Sequence, residues 1–391
     1  MLKFQTAGES HGQALVAILS GLPAQMPVDA GYVNRELKRR QGGYGRGGRM
    51  KIESDTVQFL SGIRHGCTIG SPIAILIENR DWPNWKDAMA VEENPESRAK
   101  LRSVSSPRPG HADLAGCLKY NLHDARYILE RASARETAAR VACGALAKLF
   151  LREFGIQVAS HVVALGKVRL EGGPWPFERI LALREREDPG LNCADPATEA
   201  RMKEEVDGAT QARDTVGGVF EVIAHGVPPG LGSCAQWDER LDGQLAQAVM
   251  SIQSIKGVEL GQAIPAAFLP GSQVHDEIAY DKSQSRFARK SNRAGGLEGG
   301  ITNGEDVVVR GYVKPISTLR QPLESVNLES KEPVKAAYER SDVCVVPAAG
   351  VVGEAMVALV LARAFLEKFG GDSMDETRRN FSAYLEQVRR F

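Results

Sequence analysis

The sequence lacks the features of a membrane or secreted protein. No apolar run approaches the ~20 residues that a membrane-spanning helix needs. The first residues, Met1–Thr6, contain no apolar core of a signal peptide. We therefore expect a cytoplasmic protein that does not associate with membranes.

Cysteine is sparse and is not arranged as a ligand set. The six cysteines form no Cys-x-x-Cys pair, and none lies near a histidine at metal-ligand spacing. A zinc site and a thioredoxin-like motif are therefore disfavoured, and we expect no metal. In a reducing compartment these cysteines are predicted to be small core residues.

Two common catalytic motifs are missing as well. No Gly-x-Gly-x-x-Gly follows an early strand, which disfavours a dinucleotide-binding Rossmann domain. No Gly-x-Ser-x-Gly is present, and Ser10 and His11 are sequence neighbours that rarely point at each other. A serine hydrolase is therefore disfavoured.

The chain has no overall charge excess, with 49 basic and 49 acidic residues. Against this balance, residues 39–49 hold four arginines and five glycines. Arginine matches phosphate and carboxylate geometry, and glycine lets backbone N–H groups approach the same anion. Arg-Gly runs also occur in RNA-binding tails, but this one occurs once, between a helix-like and a strand-like run. We interpret it as an ordered anion-binding loop for a small ligand, not a nucleic-acid site.

The hydrophobic pattern predicts an α+β fold. A chain of 391 residues could hold one large domain or two to three ordinary ones. Short β-branched runs predict strands at residues 14–19, 56–60, 73–77, 218–224 and 306–312. Apolar periodicity predicts helices at residues 133–154, 196–212, 238–252 and 353–369. Ser133 and Glu136 fit a capping box at the start of the first helix.

Two short internal similarities suggest a duplication. Residues 147–155 resemble residues 362–370, and residues 20–23 resemble residues 225–228. Chance is a competing explanation because both are short. We expect one catalytic domain, residues 1–391, with halves at about 1–165 and 215–391. The polar stretch 166–214 between them is predicted to be a solvated insertion.

Several loops carry candidate functional residues. His11 and His111 each adjoin glycine, which leaves an imidazole accessible for proton transfer. The other five histidines are assigned structural roles. The glycine-rich stretch 291–304 fits either a phosphate and ring cradle or a long hairpin loop. Asp342 could cap a turn or act as a base beside Arg340.

These motifs together resemble the chorismate synthase family. The resemblance rests on residues 8–12 (Gly-Glu-Ser-His-Gly), 40–46, 108–113 (Arg-Pro-Gly-His-Ala-Asp), 291–304 and 340–342 (Arg-Ser-Asp). It covers nearly the whole chain, in order. It implies 1,4-elimination of phosphate from 5-enolpyruvylshikimate 3-phosphate to chorismate, the last step of the shikimate route. It also implies reduced FMN as cofactor, which lends electron density to the substrate transiently with no net redox change.

The resemblance also assigns roles to residues. His111 would protonate or steady the departing phosphate, and His11 would protonate the reduced flavin near N1. Asp342 would accept a proton from flavin N5, which takes the C6 hydrogen, and Ser10 would help to position Asp342 or the flavin. The substrate, with one phosphate and two carboxylates, would meet several arginines, namely Arg40, Arg46, Arg49, Arg108, Arg135 and Arg340.

The implied FMN contacts are Ser133, Ala134, Arg135, Gln253, Ser254, Gly299, Lys314, Pro315, Ile316, Ser317, Thr318 and Arg340. Ser133 opens a predicted helix, where free N–H groups bind anions. The family has Ser-Ser-Ala-Arg where this chain has Ala132-Ser133-Ala134-Arg135, so one hydroxyl is missing.

The family fold implied is a β-α-β sandwich with internal pseudo-symmetry, antiparallel sheets around helices, assembled as a homotetramer. Bifunctional relatives reduce flavin with NADPH, and Arg40 and Arg46 are also candidates for that nucleotide. Since no separate nicotinamide domain is evident, we expect an external flavin reductase, with NADPH as a possible ultimate reductant. The alternative function is another FMN-dependent oxidoreductase acting on a phosphorylated carboxylic acid.

Overall fold

The computed structural model describes residues 1–47, 54–93, 102–283, 286–339 and 342–391. Helices and antiparallel sheets are both present, so the fold class is α+β, as predicted. The last two residues of the arginine-rich stretch 39–49 lie outside the described residues.

The N-terminal part of the chain forms a four-stranded antiparallel sheet in the order β1-β2-β6-β3. Its strands are β1 Lys3–Ala7, β2 Ala14–Ser20, β3 Gln58–Phe59 and β6 Ile73–Glu78, with a side hairpin of β4 Ile63–Arg64 and β5 Cys67–Thr68. Alternate residues of β2, such as Leu15 and Leu19, are buried, as expected of a strand with one face on the core. The predicted strands at 14–19 and 73–77 are confirmed, whereas the one at 56–60 is reduced to two residues.

A five-stranded antiparallel sheet has the order β10-β15-β9-β7-β8. Its strands are β7 Gln157–Leu165, β8 Val168–Arg169, β9 Gly218–His225, β10 Ile255–Leu260 and β15 Val307–Val313. Three hairpins complete the strands: β11 Ile278–Asp281 with β12 Arg286–Arg289, β13 Leu297–Glu298 with β14 Ile301–Thr302, and β16 Glu324–Val326 with β17 Pro333–Lys335. The predicted strands at 218–224 and 306–312 are confirmed.

Helices pack between and around these sheets. They are α1 Ala30–Gln41, α2 Asp113–Tyr120, α3 Arg126–Ala132, α4 Thr137–Arg152, α5 Phe177–Ala182, α6 Pro196–Gln211, α7 Leu241–Met250, α8 Ala263–Ala266, α9 Gly271–Val274, α10 Val346–Phe369 and α11 Met374–Arg390. Helix α4 packs against β2 and β6, α10 packs against β7 and β9, and the two helices pack against each other. The main hydrophobic core lies in these contacts.

Small residues let the central helices approach closely. A Cβ on Gly144 of α4 would lie 2.3 Å from the Ala355 Cβ of α10. A Cβ on Gly353 would lie 2.6 Å from the ring of Phe220 on β9. The glycines of α10 therefore serve packing and do not mark a turn. The predicted start at residue 353 treated these glycines as the end of a loop, whereas α10 begins at Val346, seven residues earlier.

The predicted capping box is only half formed: Ser133 is an N-cap, but Glu136 does not reach back to it. A 3-10 turn, Ala134–Glu136, precedes α4, and the Ser133 hydroxyl accepts from the Arg135 N–H. The Glu136 carboxylate instead accepts from Thr6 Oγ1 at 2.7 Å and from Arg140 Nε at 2.9 Å. The Glu136 carboxylate that a capping box would use is therefore bound to Thr6 and Arg140 instead.

Charged side chains form a buried cluster where α1, α4 and α10 meet. The Lys148 ammonium donates to Glu36 at 2.5 Å and also to Glu354. Arg39 donates to both carboxylates, at 2.9 Å and 2.8 Å. Burial opposes the charge of Glu36 and Glu354, but Lys148 and Arg39 outweigh it, and the net effect lowers the pKa of both carboxyls. The cluster ties the C-terminal end of α1, which carries Arg40, to the centre of the fold.

The segment 166–214 has a small core of its own. Phe177, Ile180 and Leu183 pack with Ala159 and Ile223 of the five-stranded sheet. Helix α6 begins as predicted, with Asp195 accepting from the Thr198 N–H at 2.8 Å. The segment is therefore packed on the sheet along one side.

Among the described residues, one helix is long and apolar enough to cross a membrane, judged by length and composition alone. It is α10, and 89% of its most apolar window is buried inside the protein. Such burial is typical of a core helix.

Candidate functional site

Loops from distant parts of the sequence enclose a cavity of about 620 Å³. Its lining combines polar and cationic side chains with apolar ones, the latter including Leu129, Ile252, Val345, Ala348, Ala349 and Val352. The predicted site residues that line it are Ser10, His11, Arg40, Arg46, Arg108, His111, Ser133, Ala134, Arg135, Gln253, Ser254, Lys314, Ile316, Ser317, Thr318 and Asp342. The volume and mixed lining suit a small-molecule site.

His11 lies in the loop between β1 and β2, and side chains from two other elements hold this loop in place. Asn79, at the end of β6, donates to the carbonyls of Ser10 and Gly12 at 3.3 Å and 2.9 Å. Glu130 of α3 accepts from the His11 backbone N–H at 2.8 Å and lies 2.8 Å from its ring Nδ1. The imidazole therefore reaches the cavity with one nitrogen already occupied.

His111 is anchored in the same manner by a second carboxylate. Its Nδ1 lies 2.5 Å from Asp113 Oδ1, and Arg108 Nε donates to Asp113 Oδ2 at 2.8 Å. Burial opposes the charge of Asp113, but these hydrogen bonds outweigh it and hold its pKa well below the ordinary value. Since a carboxylate only accepts, Nδ1 carries the hydrogen in this contact, and Nε2 lies 3.5 Å from Arg108 NH2. Arg108 also donates to Thr318 Oγ1 at 2.9 Å.

Arg40 and Arg135 share one buried carboxylate. Asp55 lies 3.1 Å from Arg40 NH2 and 2.6 Å from Arg135 NH1, and all three side chains are at most 5% exposed. Arg40 also donates to Thr137 Oγ1 at 3.3 Å. Two guanidinium groups are thus pre-positioned at the cavity wall, one from α1 and one from the turn before α4.

Arg46 and Asp342, which both line the cavity, form an ion pair. Arg46 NH1 lies 2.6 Å from Asp342 Oδ2, and the Gly47 N–H donates to Asp342 Oδ1 at 2.6 Å. The arginine-rich loop is anchored nearby, where Tyr44 donates to Asp207 at 2.8 Å. The carboxylate predicted as a base therefore lies against the arginine-rich loop.

The two serines of the site contact each other. Ser133 Oγ donates to Ser10 Oγ at 3.2 Å, which links the His11 loop to the turn before α4. Gln253 donates to Glu136 at 3.2 Å, and its Oε1 is buried without a partner among the described residues. Ser254 has a φ of 69°, an uncommon value for a residue other than glycine. Backbone strain of this kind is frequent at ligand sites.

Residues after β15 close the cavity on another side. The Lys314 ammonium donates to the Gly110 carbonyl at 2.8 Å, beside the His111 loop. Burial and the nearby Lys256 lower the pKa of Lys314. An anion bound here would reverse this effect.

Four predicted residues are not placed at the cavity. Arg49 and Arg340 lie outside the described residues. Pro315 is not among the lining residues. Gly299 lies at the turn of the β13–β14 hairpin with a φ of 60°, so stretch 291–304 contains a hairpin and Gly299 does not line the cavity of a single chain. The prediction for Gly299 stays a prediction.

Sequence analysis missed two kinds of site residue. The first is the buried carboxylates that orient the basic groups: Asp55, Asp113 and Glu130. Asp113 was visible within the motif at 108–113, but Asp55 and Glu130 carry no local signal. The second is the cavity-lining residues Arg320, Tyr338 and Glu339.

Within the described residues, no three His, Cys, Asp or Glu side chains come together as metal ligands. The six cysteines are unpaired, and Cys234 is exposed. Burial raises the pKa of Cys143 to about 12, so this thiol is not a nucleophile near neutral pH.

The arrangement defines a class of protein. Two carboxylate-anchored histidines and several pre-positioned arginines surround one cavity with an apolar wall. Such a site can stabilise a departing anion and move protons beside it. The fold and site together are those of an α+β enzyme that acts on a small, strongly anionic substrate.

Comparison with known proteins gives the family. A sequence model of chorismate synthase matches residues 2–366. The chain is 63% identical over 391 residues to the chorismate synthase of Solibacter usitatus (strain Ellin6076), with all of both chains covered. It is 54% identical over 399 residues to that of Aquifex aeolicus (strain VF5), covering all of this chain and 99% of the relative. A solved structure described as "Crystal Structure of Chorismate Synthase" matches with a TM-score of 0.79 and 44% identity, over 100% of this chain and 99% of the other. The chain belongs to the chorismate synthase family.

Proposed function

We propose that this cavity catalyses the 1,4-elimination of phosphate from 5-enolpyruvylshikimate 3-phosphate, giving chorismate, the last step of the shikimate pathway. The family supports the reaction. The observation that carries the site assignment is the convergence of His11, His111 and the arginines on one cavity. The substrate has one phosphate and two carboxylates, which match this excess of guanidinium groups.

The departing phosphate needs charge stabilisation. Overall, the C3–O bond breaks with its electron pair on the phosphate, C6 loses a proton, and the electron pair of the C6–H bond becomes part of the new diene. His111, whose Nδ1 donates to Asp113, can hold a proton on Nε2 at the phosphate. Arg108 and Lys314 lie beside it and supply fixed positive charge, which is most effective where water is excluded.

The other end of the cavity holds the remaining proton-handling groups. His11 can hold a proton at the ring edge that faces the cavity. Asp342 is a carboxylate that can accept a proton, and it is paired with Arg46 at 2.6 Å. Ser10 connects the two sides through Ser133.

The residues fit reduced FMN, which supplies transient electron density to the substrate when bound. The buried, unpartnered Gln253 Oε1 is an acceptor that matches a ring N–H of a flavin. Ser133, Ala134 and Arg135 offer N–H groups and a guanidinium to a phosphate. We propose that these residues hold the cofactor with Ser254, Lys314, Ile316, Ser317 and Thr318, joined by Pro315, Gly299 and Arg340 from the family resemblance.

Anaerobic phosphate release from 5-enolpyruvylshikimate 3-phosphate tests the proposal. We expect release with dithionite-reduced FMN, none with oxidised FMN, and no net flavin oxidation. A net change in flavin redox state per turnover would instead support the alternative, another FMN-dependent oxidoreductase acting on a phosphorylated carboxylic acid. No phosphate release with either form of FMN would contradict the proposed elimination.

We propose that the enzyme is monofunctional and receives reduced FMN from an external flavin reductase, with NADPH as the ultimate reductant. Arg40 and Arg46 are the candidates for a nucleotide, and both line the cavity that also holds His11 and His111, which supports a role towards substrate. NADPH-driven turnover by the pure protein without added reductase, under anaerobic conditions, would contradict this.

The family also leads us to propose a cytoplasmic homotetramer built from β-α-β sandwich subunits with pseudo-symmetric halves and the insertion at 166–214. The packing of α4 and α10 between the sheets supports the sandwich. Exposed rings on the β11–β12 hairpin support an interface, since Tyr280, Phe287 and Phe391 form a contiguous group. Light scattering coupled to size exclusion checks the assembly, and a monomeric mass would contradict it.

A further inference from the structure

Helix α3 carries Glu130, a buried carboxylate that contacts His11 as Asp113 contacts His111. Glu130 is almost completely buried and contacts His11 twice, through the backbone N–H and through ring Nδ1. It also accepts from Arg126 NH1 at 3.2 Å. Nothing in the motif around His11 indicates this partner, because Glu130 lies 119 positions away.

The faces of the His11 ring are controlled as well. Trp85 stacks on the imidazole with ring centroids 3.7 Å apart and an angle of 23° between the planes. The indole N–H donates to Asp81 at 2.9 Å, so the indole itself is held in position. Arg102 lies over the Trp85 ring at 4.1 Å from its centroid. The imidazole therefore has a fixed edge and a fixed face.

We propose that Glu130 is the positioning residue for His11: it holds the ring with hydrogen on Nδ1 and Nε2 toward the cavity, and its negative charge favours the protonated ring. The inference rests on the proposed proton-transfer role of His11.

The charges around the ring determine the sign of this effect. Glu130 is the negative group in direct contact with His11, and the stacked indole face of Trp85 also favours a cation. Arg126, which contacts Glu130 and is bridged at 2.9 Å to Glu339, opposes protonation. Arg102 lies over the same indole, and Asp81 lies at the indole N–H. Burial opposes the charge of Glu130, but hydrogen bonds from His11 and Arg126 outweigh it and lower its pKa.

Trp85 provides a signal that needs neither substrate nor cofactor. A protonated imidazole in contact with an indole quenches its fluorescence, so Trp85 emission should rise as His11 loses its proton. The chain has four tryptophans. The difference between the full-length protein and the W85F variant isolates Trp85 from the other three. We expect this difference to depend on pH.

The Glu130→Gln variant removes the charge and keeps the size. We expect the emission midpoint to move by about one pH unit or more toward acid. Glu130→Asp, which restores the charge, should return it toward the unmodified value. Arg126→Gln removes the opposing charge and should move the midpoint the other way, toward higher pH. This opposite sign keeps the test decisive even where Glu130→Gln does not fold.

Glu221→Gln is the matched control. Glu221 is also buried, lies 3.0 Å from a histidine nitrogen (His161 Nε2) and accepts from an arginine, Arg310, at 2.7 Å. It is on the five-stranded sheet and not among the cavity-lining residues. A loss of stability alone would affect both variants, whereas only Glu130→Gln should move the Trp85 midpoint.

Turnover gives the second readout. In the anaerobic phosphate assay, Glu130→Gln should lower kcat by about 10–100-fold with little change in KM. A folded Glu130→Gln protein with an unchanged midpoint would overturn the proposal, and so would Trp85 emission that does not depend on pH. Since the fluorescence is measured without substrate, failure of the phosphate assay in the unmodified protein would count against the proposed reaction and leave the positioning result readable.

Discussion

The His111 ring nitrogen Nδ1 lies 2.5 Å from Asp113 Oδ1, and Asp113 has no exposed surface. Arg108 holds the same carboxylate from the other side. The carboxylate is therefore ionised and directional, and it determines which nitrogen of His111 faces the cavity. A similar pairing of His11 with Glu130 occurs at the other end, so both histidines receive their orientation from buried acids.

The Asp113→Asn substitution should lower kcat for phosphate release by about 100-fold, because the amide no longer stabilises a protonated His111. The matched control is Asp306→Asn, since Asp306 lies 2.7 Å from His225 Nδ1 on the surface. Steady-state kinetics of both variants check the prediction. Equal rates for Asp113→Asn and the unmodified protein would remove His111 from the phosphate-leaving step.

Asp55→Asn should destabilise the fold by about 3–5 kcal/mol, because it leaves Arg40 and Arg135 buried beside each other without their shared carboxylate. The free energy of unfolding in urea measures this. Asp29→Asn is the control, since Asp29 pairs with Arg35 on the surface and such pairs contribute less than about 1 kcal/mol. A loss at Asp55 no larger than that at Asp29 would show that other groups hold the two arginines.

The buried cluster around Lys148 should make the free energy of unfolding depend on pH in the acidic range. The pKa values of Glu36 and Glu354 are depressed in the folded state, so their stabilisation is complete above the unfolded value of about 4.3 and is lost as pH falls below it. Glu354→Gln should therefore flatten the dependence of the unfolding free energy on pH below 4.3. An unchanged slope would contradict the assignment.

Removing the cation of the same cluster should be costly at neutral pH. Lys148→Met leaves two buried carboxylates near each other and should lower the free energy of unfolding by about 3–5 kcal/mol. The check is urea unfolding at pH 7. A neutral effect would mean that the remaining cations, Arg39 and Arg184, are sufficient for Glu36 and Glu354.

Gly144→Ala should destabilise the protein by about 1–3 kcal/mol, because the new Cβ would lie 2.3 Å from the Ala355 Cβ. The double variant with Ala355→Gly should recover part of the loss, since it reopens the contact. Gly208→Ala on α6 is the control: nothing lies within 4 Å of its added Cβ, so we expect stabilisation by about 0.5–1 kcal/mol. Thermal unfolding of the four proteins gives the comparison, and equal effects at positions 144 and 208 would argue against the close helix contact.

Local sequence signals located much of the fold and site. The β-branched runs at 14–19, 73–77, 218–224 and 306–312 became strands because strand propensity and alternating burial agree there. The start of α6 was marked by the N-cap residue Asp195. The end of α10 was marked by Gly370, which has a φ of 61° in the structure. The start of α10 was missed because Gly350 and Gly353 resemble loop residues locally but pack against Ser160 and Phe220 in the fold.

The sequence by itself determined the chemistry that this protein brings to its cavity: two histidines beside glycine, a loop dense in arginine, and motifs that belong to one family. Only the tertiary structure decided how these groups are paired. Glu130 reaches His11 across 119 positions, and Asp342 reaches Arg46 across 296. The physical reason is that a buried charge is stable only with a partner, and sheet and helix packing alone determine which carboxylate lies within hydrogen-bonding distance.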